Sequence, residues 1–202
     1  MNCSYLAFEG IDGSGKTTLI NELSNKLTES NVDFKIVREP GGSKLGEGIR
    51  ELLLSHDYNV EPTSEALLMS ASRAQLIKEI VKPAINNGQL VITDRSAYSS
   101  VAYQGVGRDL GYQKIYELND LAIDSFWPEK VILLDIDPKV SLSRQKVADR
   151  IGSGEISFFN KVRDGYLQLA EDFSDKFLVL NAEDSQQQNF KKASEWLDLA
   201  KS

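Results

Sequence analysis

The segment Gly10-Ile11-Asp12-Gly13-Ser14-Gly15-Lys16-Thr17 has the residue types and spacing of a phosphate-binding loop. Its glycines let backbone N–H groups turn inward around a polyphosphate, and the helix that follows aims its positive N-terminal end at the same anion. Lys16 is placed to reach the β- and γ-phosphates, and the Thr17 hydroxyl to meet the Mg²⁺ that travels with a nucleotide. Gly10, Ile11, Asp12, Gly13, Ser14, Gly15 and Thr18 complete the expected ATP-binding stretch. A second chemical pair, Asp94-Arg95, closes the run Val91-Ile92-Thr93. There a carboxylate could hold the hydration shell of Mg²⁺ while the guanidinium grips a phosphate in a two-pronged contact. A buried Asp–Arg ion pair with no ligand is the competing reading, since buried charges come paired.

These residues need a frame. Short apolar runs alternate with longer stretches of helical period, which predicts an α/β fold: a doubly wound, five-stranded parallel sheet flanked by helices, as in P-loop NTPases, with a short mobile lid. Strands are expected at 5–9, 34–38, 90–94, 130–135 and 177–180, and helices at 16–30, 43–54, 62–87, 111–125, 156–172 and 189–200. In such sheets ligands bind outside the carboxyl ends of the strands, where both motifs fall. No repeat, low-complexity tract or linker divides the 202 residues, so 1–202 reads as a single domain. The stretch 144–155 mixes charges with Gly152-Ser153-Gly154 and lacks an apolar face. It reads as a mobile flap, with an ordinary surface loop as the alternative.

Composition narrows the chemistry. With 41% hydrophobic residues the chain can bury a substantial core, and its net charge of −7 suits it poorly to a nucleic-acid backbone, so no polynucleotide partner is expected. Cys3 is the single cysteine and His56, among Ser55, Asp57 and Tyr58, the single histidine. An internal disulfide, a thiolate metal cluster and a histidine-based mechanism are therefore excluded. No apolar run approaches the about 18 residues of a membrane span, and the start Met1-Asn2-Cys3-Ser4 lacks the charge of a signal peptide. A cytoplasmic protein without a membrane partner is the expectation. A guanine-reading Asn/Thr-Lys-x-Asp segment is missing, which argues against a GTP switch, and the length argues against a large ATPase machine.

Further motifs occur in order along the chain: Phe8-Glu9-Gly10-Ile11-Asp12-Gly13, Arg38-Glu39-Pro40-Gly41-Gly42, Gly46-Glu47-Gly48-Ile49-Arg50, Ala71-Ser72-Arg73-Ala74-Gln75, Asp94-Arg95-Ser96, Ala102-Tyr103-Gln104-Gly105 and Phe158-Phe159-Asn160-Lys161-Val162-Arg163. Over essentially its whole length the sequence resembles the bacterial thymidylate kinases, P-loop nucleoside monophosphate kinases. The resemblance implies transfer of the γ-phosphate of ATP to dTMP, giving dTDP and ADP for dTTP synthesis, with Mg²⁺ as cofactor and a homodimer packed through helices. It implies that Asp12 faces the sugar 3′-hydroxyl, that Arg73 and Gln104 address thymine with Ser100 beside it, and that Arg50 and Arg95 approach the monophosphate. By the same resemblance Tyr103 crowds the 2′ carbon and favours deoxyribose, Glu39 helps to position metal, water or phosphate, and adenine lies near Asn181-Ala182.

A phosphate acceptor needs no general base. It needs positive charge around the transferred group, from Lys16, Mg²⁺, Arg95 and one more arginine. Members of the family keep that arginine in the P-loop or in the lid. Here the loop carries Gly13-Ser14, so the lid must supply it, with Arg150 the first candidate and Arg144, also expected in the ATP site, the second. The sequence departs from the family in three places. Met69 stands where a phenylalanine usually stacks on thymine, and reads either as a base contact or as helix packing. The lid is shorter before Asp149, with Gly152 and Gly154 in place of acidic residues. Ser96 follows Asp94-Arg95 as in deoxynucleoside kinases. Such a kinase, with Glu39 as base toward a 5′-hydroxyl, is one rival reading; Arg50 and Arg95, both aimed at a monophosphate, argue against it. A noncatalytic nucleotide-binding protein of the same fold is the other.

Overall fold

The computed structural model describes residues 3–144, 151 and 155–199. They form one sheet of five parallel strands, β1 (Tyr5–Glu9), β2 (Phe34–Arg38), β3 (Leu90–Asp94), β4 (Lys130–Asp135) and β5 (Phe177–Asn181), in the order β2-β3-β1-β4-β5. The first four strands have the bounds the sequence predicts, and β5 runs one residue further. Every residue of β1 is buried, as befits a central strand covered on both faces. The pairings Phe8 with Asp94 and Arg38 with Asp94 bring the ends of β1, β2 and β3 to one level. From β1 the chain skips to the edge strand β2, returns to fill the gap with β3, and then crosses to β4 and β5 on the other side. The resulting crevice at the carboxyl ends is where such sheets hold ligands.

Around the sheet lie α1 (Lys16–Glu29), α2 (Lys44–Leu54), α3 (Pro62–Leu76), α4 (Lys82–Asn86), α5 (Ala97–Ser100), α6 (Tyr112–Ile123), α7 (Pro138–Arg144), α8 (Ile156–Asp172) and α9 (Gln186–Trp196). The single helix predicted over 62–87 is instead interrupted: Ile77–Val81 is π-helical between α3 and α4. Pro83 has no N–H to donate and its ring crowds the carbonyl four residues back, so a wider turn takes up the mismatch. Two helical segments escape the sequence reading, α7 and the continuous run of α5 into a π-helical stretch, Val101–Gly107. Nearly all of the latter run is buried, so no polar face marks it as a helix. It packs tightly on α8. A Cβ on Gly165 would lie 3.1 Å from the Ala102 Cα and from the Val106 side chain, tighter than ordinary van der Waals contact, so a larger residue there would push the two segments apart. The core gathers Leu6, Phe8 and Ile92 of the sheet with Leu23 and Leu27 of α1 and Val162 and Leu169 of α8 in one cluster.

Candidate active site

The loop after β1 is shaped by close approach. Gly10 has φ 132°, and a Cβ there would sit 2.5 Å from the Leu134 carbonyl oxygen, so the loop lies against β4 as only glycine permits. From α7, the Ser141 hydroxyl donates to the Asp12 carbonyl at 2.5 Å, and Arg144 Nη1 reaches the carbonyls of Gly13 and Ala182, both at 3.4 Å. Arg144 thus touches both the P-loop and the segment after β5 expected to meet adenine. Lys16 is buried and donates to the carbonyls of Gly10 at 3.0 Å and Ile11 at 3.4 Å. Burial, aided by Arg95, lowers its pKa to about 8.

Arg95 sits just past β3 with φ 73°, a left-handed conformation that costs a side-chain-bearing residue energy. It is held there by donation from its N–H to the Phe8 carbonyl at 2.9 Å and from the Thr93 hydroxyl to its own carbonyl at 2.6 Å. Its ion-pair partner is Asp12, at 2.6 Å, rather than neighbouring Asp94. The Arg95 charge in turn holds the Asp12 carboxyl below the usual carboxylate range. The guanidinium also donates to the hydroxyls of Tyr103 and Tyr166, both at 3.2 Å. Behind it lies Glu9, fully buried, which accepts from the Ser96 N–H at 2.8 Å, the Ser96 hydroxyl at 2.6 Å, the Ser99 hydroxyl at 2.5 Å and Tyr166 at 2.9 Å. Sequence reasoning missed Glu9, Ser99 and Tyr166; the available signal was a carboxylate closing an otherwise apolar strand. Asp94 keeps one carboxylate oxygen, Oδ1, buried with no hydrogen-bond partner among the described residues. Such an oxygen, with the Thr17 hydroxyl, suits a hydrated hard cation.

At the other end of the crevice Arg73 is almost wholly buried, and its donors are distributed among four acceptors. Nε donates to Glu39 Oε2 at 2.5 Å, Nη1 to the Ser100 hydroxyl at 3.0 Å and to Asn119 Oδ1, and Nη2 to the Ser96 carbonyl at 3.1 Å. Of the five N–H groups of an arginine, one on Nη2 is left for a ligand. Glu39, expected to help position metal, water or phosphate, is the counter-ion of Arg73, and its Oε1 is buried without a partner among the described residues. Burial pushes the Glu39 carboxyl up, against the pull of Arg73. Gln104 donates from Nε2 to Glu65 at 2.9 Å. Asn119 and Glu65 are the residues missed here, because each lies in a helix whose sequence gives no sign of facing the crevice.

One cleft of about 500 Å³ collects Asp12, Gly13, Gly15, Lys16, Thr17, Thr18, Glu39, Arg50, Met69, Arg73, Asp94, Arg95, Ser100, Tyr103, Gln104 and Arg144. Arg50 also donates to the Pro40 carbonyl at 2.9 Å. Of the other expected residues, Gly10, Ile11 and Ser14 are buried members of the loop itself, and Arg150 lies outside the described residues.

A phosphate loop leaving the central strand of an all-parallel, helix-flanked sheet, with Asp-Arg at the end of the adjacent strand, defines a P-loop NTPase fold. The family model for thymidylate kinase matches residues 8–193. The thymidylate kinase of Caldanaerobacter subterraneus subsp. tengcongensis is 40% identical over 183 residues, covering 90% of this chain and 88% of that protein. That of Geobacillus sp. (strain WCH70) is 43% identical over 188 residues, covering 90% of each. The crystal structure of thymidylate kinase from Ehrlichia chaffeensis superposes with a TM-score of 0.80 at 31% identity, over 98% of this chain and 100% of that one. The chain belongs to the thymidylate kinase family.

Proposed function

We propose that this protein transfers the γ-phosphate of ATP to dTMP, giving dTDP and ADP. The observation that carries the reading is the pairing, within one cleft, of a phosphate loop with a donor and an acceptor suited to thymine. Arg73 retains one N–H, and Gln104, its amide nitrogen tied to Glu65, retains its oxygen. Thymine offers a carbonyl acceptor at C4 beside an N–H donor at N3, whereas cytosine offers an amino donor beside a ring-nitrogen acceptor. The pair matches the first and opposes the second.

Phosphoryl transfer then asks for positioning and charge. Lys16 and Arg95 bring cations to the space between donor and acceptor, with Asp12 and Tyr103 fixing the Arg95 guanidinium. The acceptor is already an anion, so no base is needed. Glu39, the base a nucleoside kinase would require, is held by Arg73. Thr17 and Asp94 are the residues that would hold Mg²⁺, which when bound offsets charge on the transferred phosphate. Among the described residues no group of three or more acidic, histidine or cysteine side chains could hold a metal, so water and phosphate must complete the shell.

The reading extends to a single domain over 1–202 whose lid, at 144–155, carries Arg150 as the further cation. Arg144 and Ile151, on either side of 145–150, both line the cleft, which supports this. Alanine at Arg150, but not at Arg144, is then expected to abolish kcat. It extends also to a cytoplasmic homodimer, supported by Leu52, Leu67 and Leu121, exposed on three helices that pack in sequence, α2 on α3 and α3 on α6. Sedimentation should give twice the 22.5 kDa chain mass. Among the described residues no helix is long and apolar enough to cross a membrane. The deciding experiment is ADP release from ATP and Mg²⁺ with dTMP, dUMP, dCMP, UMP or thymidine as acceptor. Preference for dTMP supports the reading; turnover of thymidine alone moves it to a nucleoside kinase, and silence with every acceptor refutes it.

A further inference from the structure

Gln104 and Glu65 are both about 1% exposed, and the bond between them runs in one direction only. An ionised carboxylate has no proton to give, so the nitrogen of the amide must face Glu65. Turning the amide over would set two acceptors against each other in a buried place and forfeit a hydrogen bond. Glu65 sits in the first turn of α3, where the helix favours an anion, and Arg108 faces it from just beyond the π-helical stretch with Nε and Nη2, both at 3.4 Å. Arg108 is itself held over the Phe158 ring, 4.5 Å from its centroid. The Gln104 amide oxygen takes no hydrogen bond among the described residues, and the residue lines the cleft.

We propose that Glu65 selects the base without touching it: by fixing which end of the Gln104 amide meets the ligand, it makes Gln104 an acceptor for a pyrimidine with a proton on N3 and a mismatch for cytosine. Glu65 is thus a positioning residue, and the proposal rests on the dTMP reading above. A freely turning amide would offer its NH₂ to the bare N3 of cytosine as readily as its oxygen to the N3–H of thymine.

The test is Glu65→Gln, nearly equal in shape, whose own amide can either accept from or donate to Gln104 and so permits both orientations. Discrimination of dTMP over dCMP, read as the ratio of kcat/KM and as the ratio of calorimetric Kd values without ATP, is expected to fall at least about tenfold, the scale of one misdirected hydrogen bond. The double exchange Glu65→Gln with Gln104→Glu reverses donor and acceptor, keeps the charge and again leaves position 104 an acceptor only; it should recover most of the lost ratio. A Glu65→Gln protein that keeps the wild-type ratio, or that loses activity toward all acceptors by one common factor, overturns the proposal. A measurement on the unaltered protein stands apart from the folding of any variant: by NMR the side-chain amide protons of Gln104 should exchange slowly before and after dTMP binds, and rapid exchange in the ligand-free protein also overturns it. Absence of wild-type turnover would refute the functional reading alone, since the binding ratio would still test Glu65.

Discussion

Lys16→Met is expected to abolish phosphoryl transfer while making the ligand-free protein more stable. Folding lowers the Lys16 pKa from 10.5 to about 8, mainly by burial. At about 1.4 kcal/mol per pH unit, holding the charge in place at pH 7 costs the folded state about 3 kcal/mol. Methionine removes that cost but leaves the Gly10 and Ile11 carbonyls without their donor, a loss of about 1–2 kcal/mol. The balance favours the variant by about 1–2 kcal/mol, which for a chain of this size raises Tm by about 2–8 °C. The pH dependence has a definite sign. Between about pH 8 and 10.5 the unfolded lysine keeps a proton that the native one has lost, so wild-type stability rises with pH in that window and the advantage of methionine fades. Below pH 8 the advantage is complete. Scanning calorimetry at pH 7 and pH 10, with and without tripolyphosphate, reads all of this, because a bound polyphosphate supplies the missing counter-charge and should stabilise only the wild type. A variant less stable than wild type at pH 7, or an advantage that does not change with pH, would refute the reasoning.

Three other outcomes follow from named contacts. Tyr166→Phe removes the hydroxyl shared by Glu9 at 2.9 Å and Arg95 at 3.2 Å, and steady-state kinetics should show kcat reduced about tenfold or more, as for one buried hydrogen bond left unmade, with the KM for ATP unchanged. Met69→Phe places a rigid ring on the cleft wall, and titration with dTMP should show affinity raised about two- to fivefold, the gain of an aromatic contact over a thioether one. Gly165→Ala forces a Cβ to 3.1 Å from the Ala102 Cα, and urea denaturation should give a loss of about 1–3 kcal/mol, typical of overpacking.

Much of the frame was readable because it is local. A run such as Tyr5-Leu6-Ala7-Phe8, buried on both faces, declares a central strand by composition alone. The P-loop is equally plain, since its chemistry lies in consecutive residues. What escaped is either buried all round, as in the run of α5 into Val101–Gly107, or decided by a partner far along the chain. Glu9 and Tyr166 are separated by 157 positions, and Arg73 and Asn119 by 46, yet each pair shares a hydrogen bond. The break in the 62–87 helix was signalled by Pro83, but a proline can kink a helix without ending it, and the π-helical alternative leaves no pattern of its own. Asp94 and Arg95, adjacent in sequence, suggested one another as partners; the left-handed turn at Arg95 sends its guanidinium to Asp12 instead.

The two arginines at the other end of the cleft are each matched by their own buried carboxylate, Arg73 by Glu39 and Arg108 by Glu65, whereas Lys16 and Arg95 share one carboxylate, Asp12, which is 45% exposed. Dissolved ions screen charges over about 8 Å at 0.15 M salt, and they act on open charges far more than on buried neutral pairs. The two ends of the cleft therefore answer differently to ionic strength. On the proposed reading, rising salt is expected to weaken the hold on every nucleotide alike, while the choice among pyrimidines, made by the direction of hydrogen bonds and not by charge, stays where it was. On that reading, fidelity is insulated from a swing in salt that affinity cannot escape.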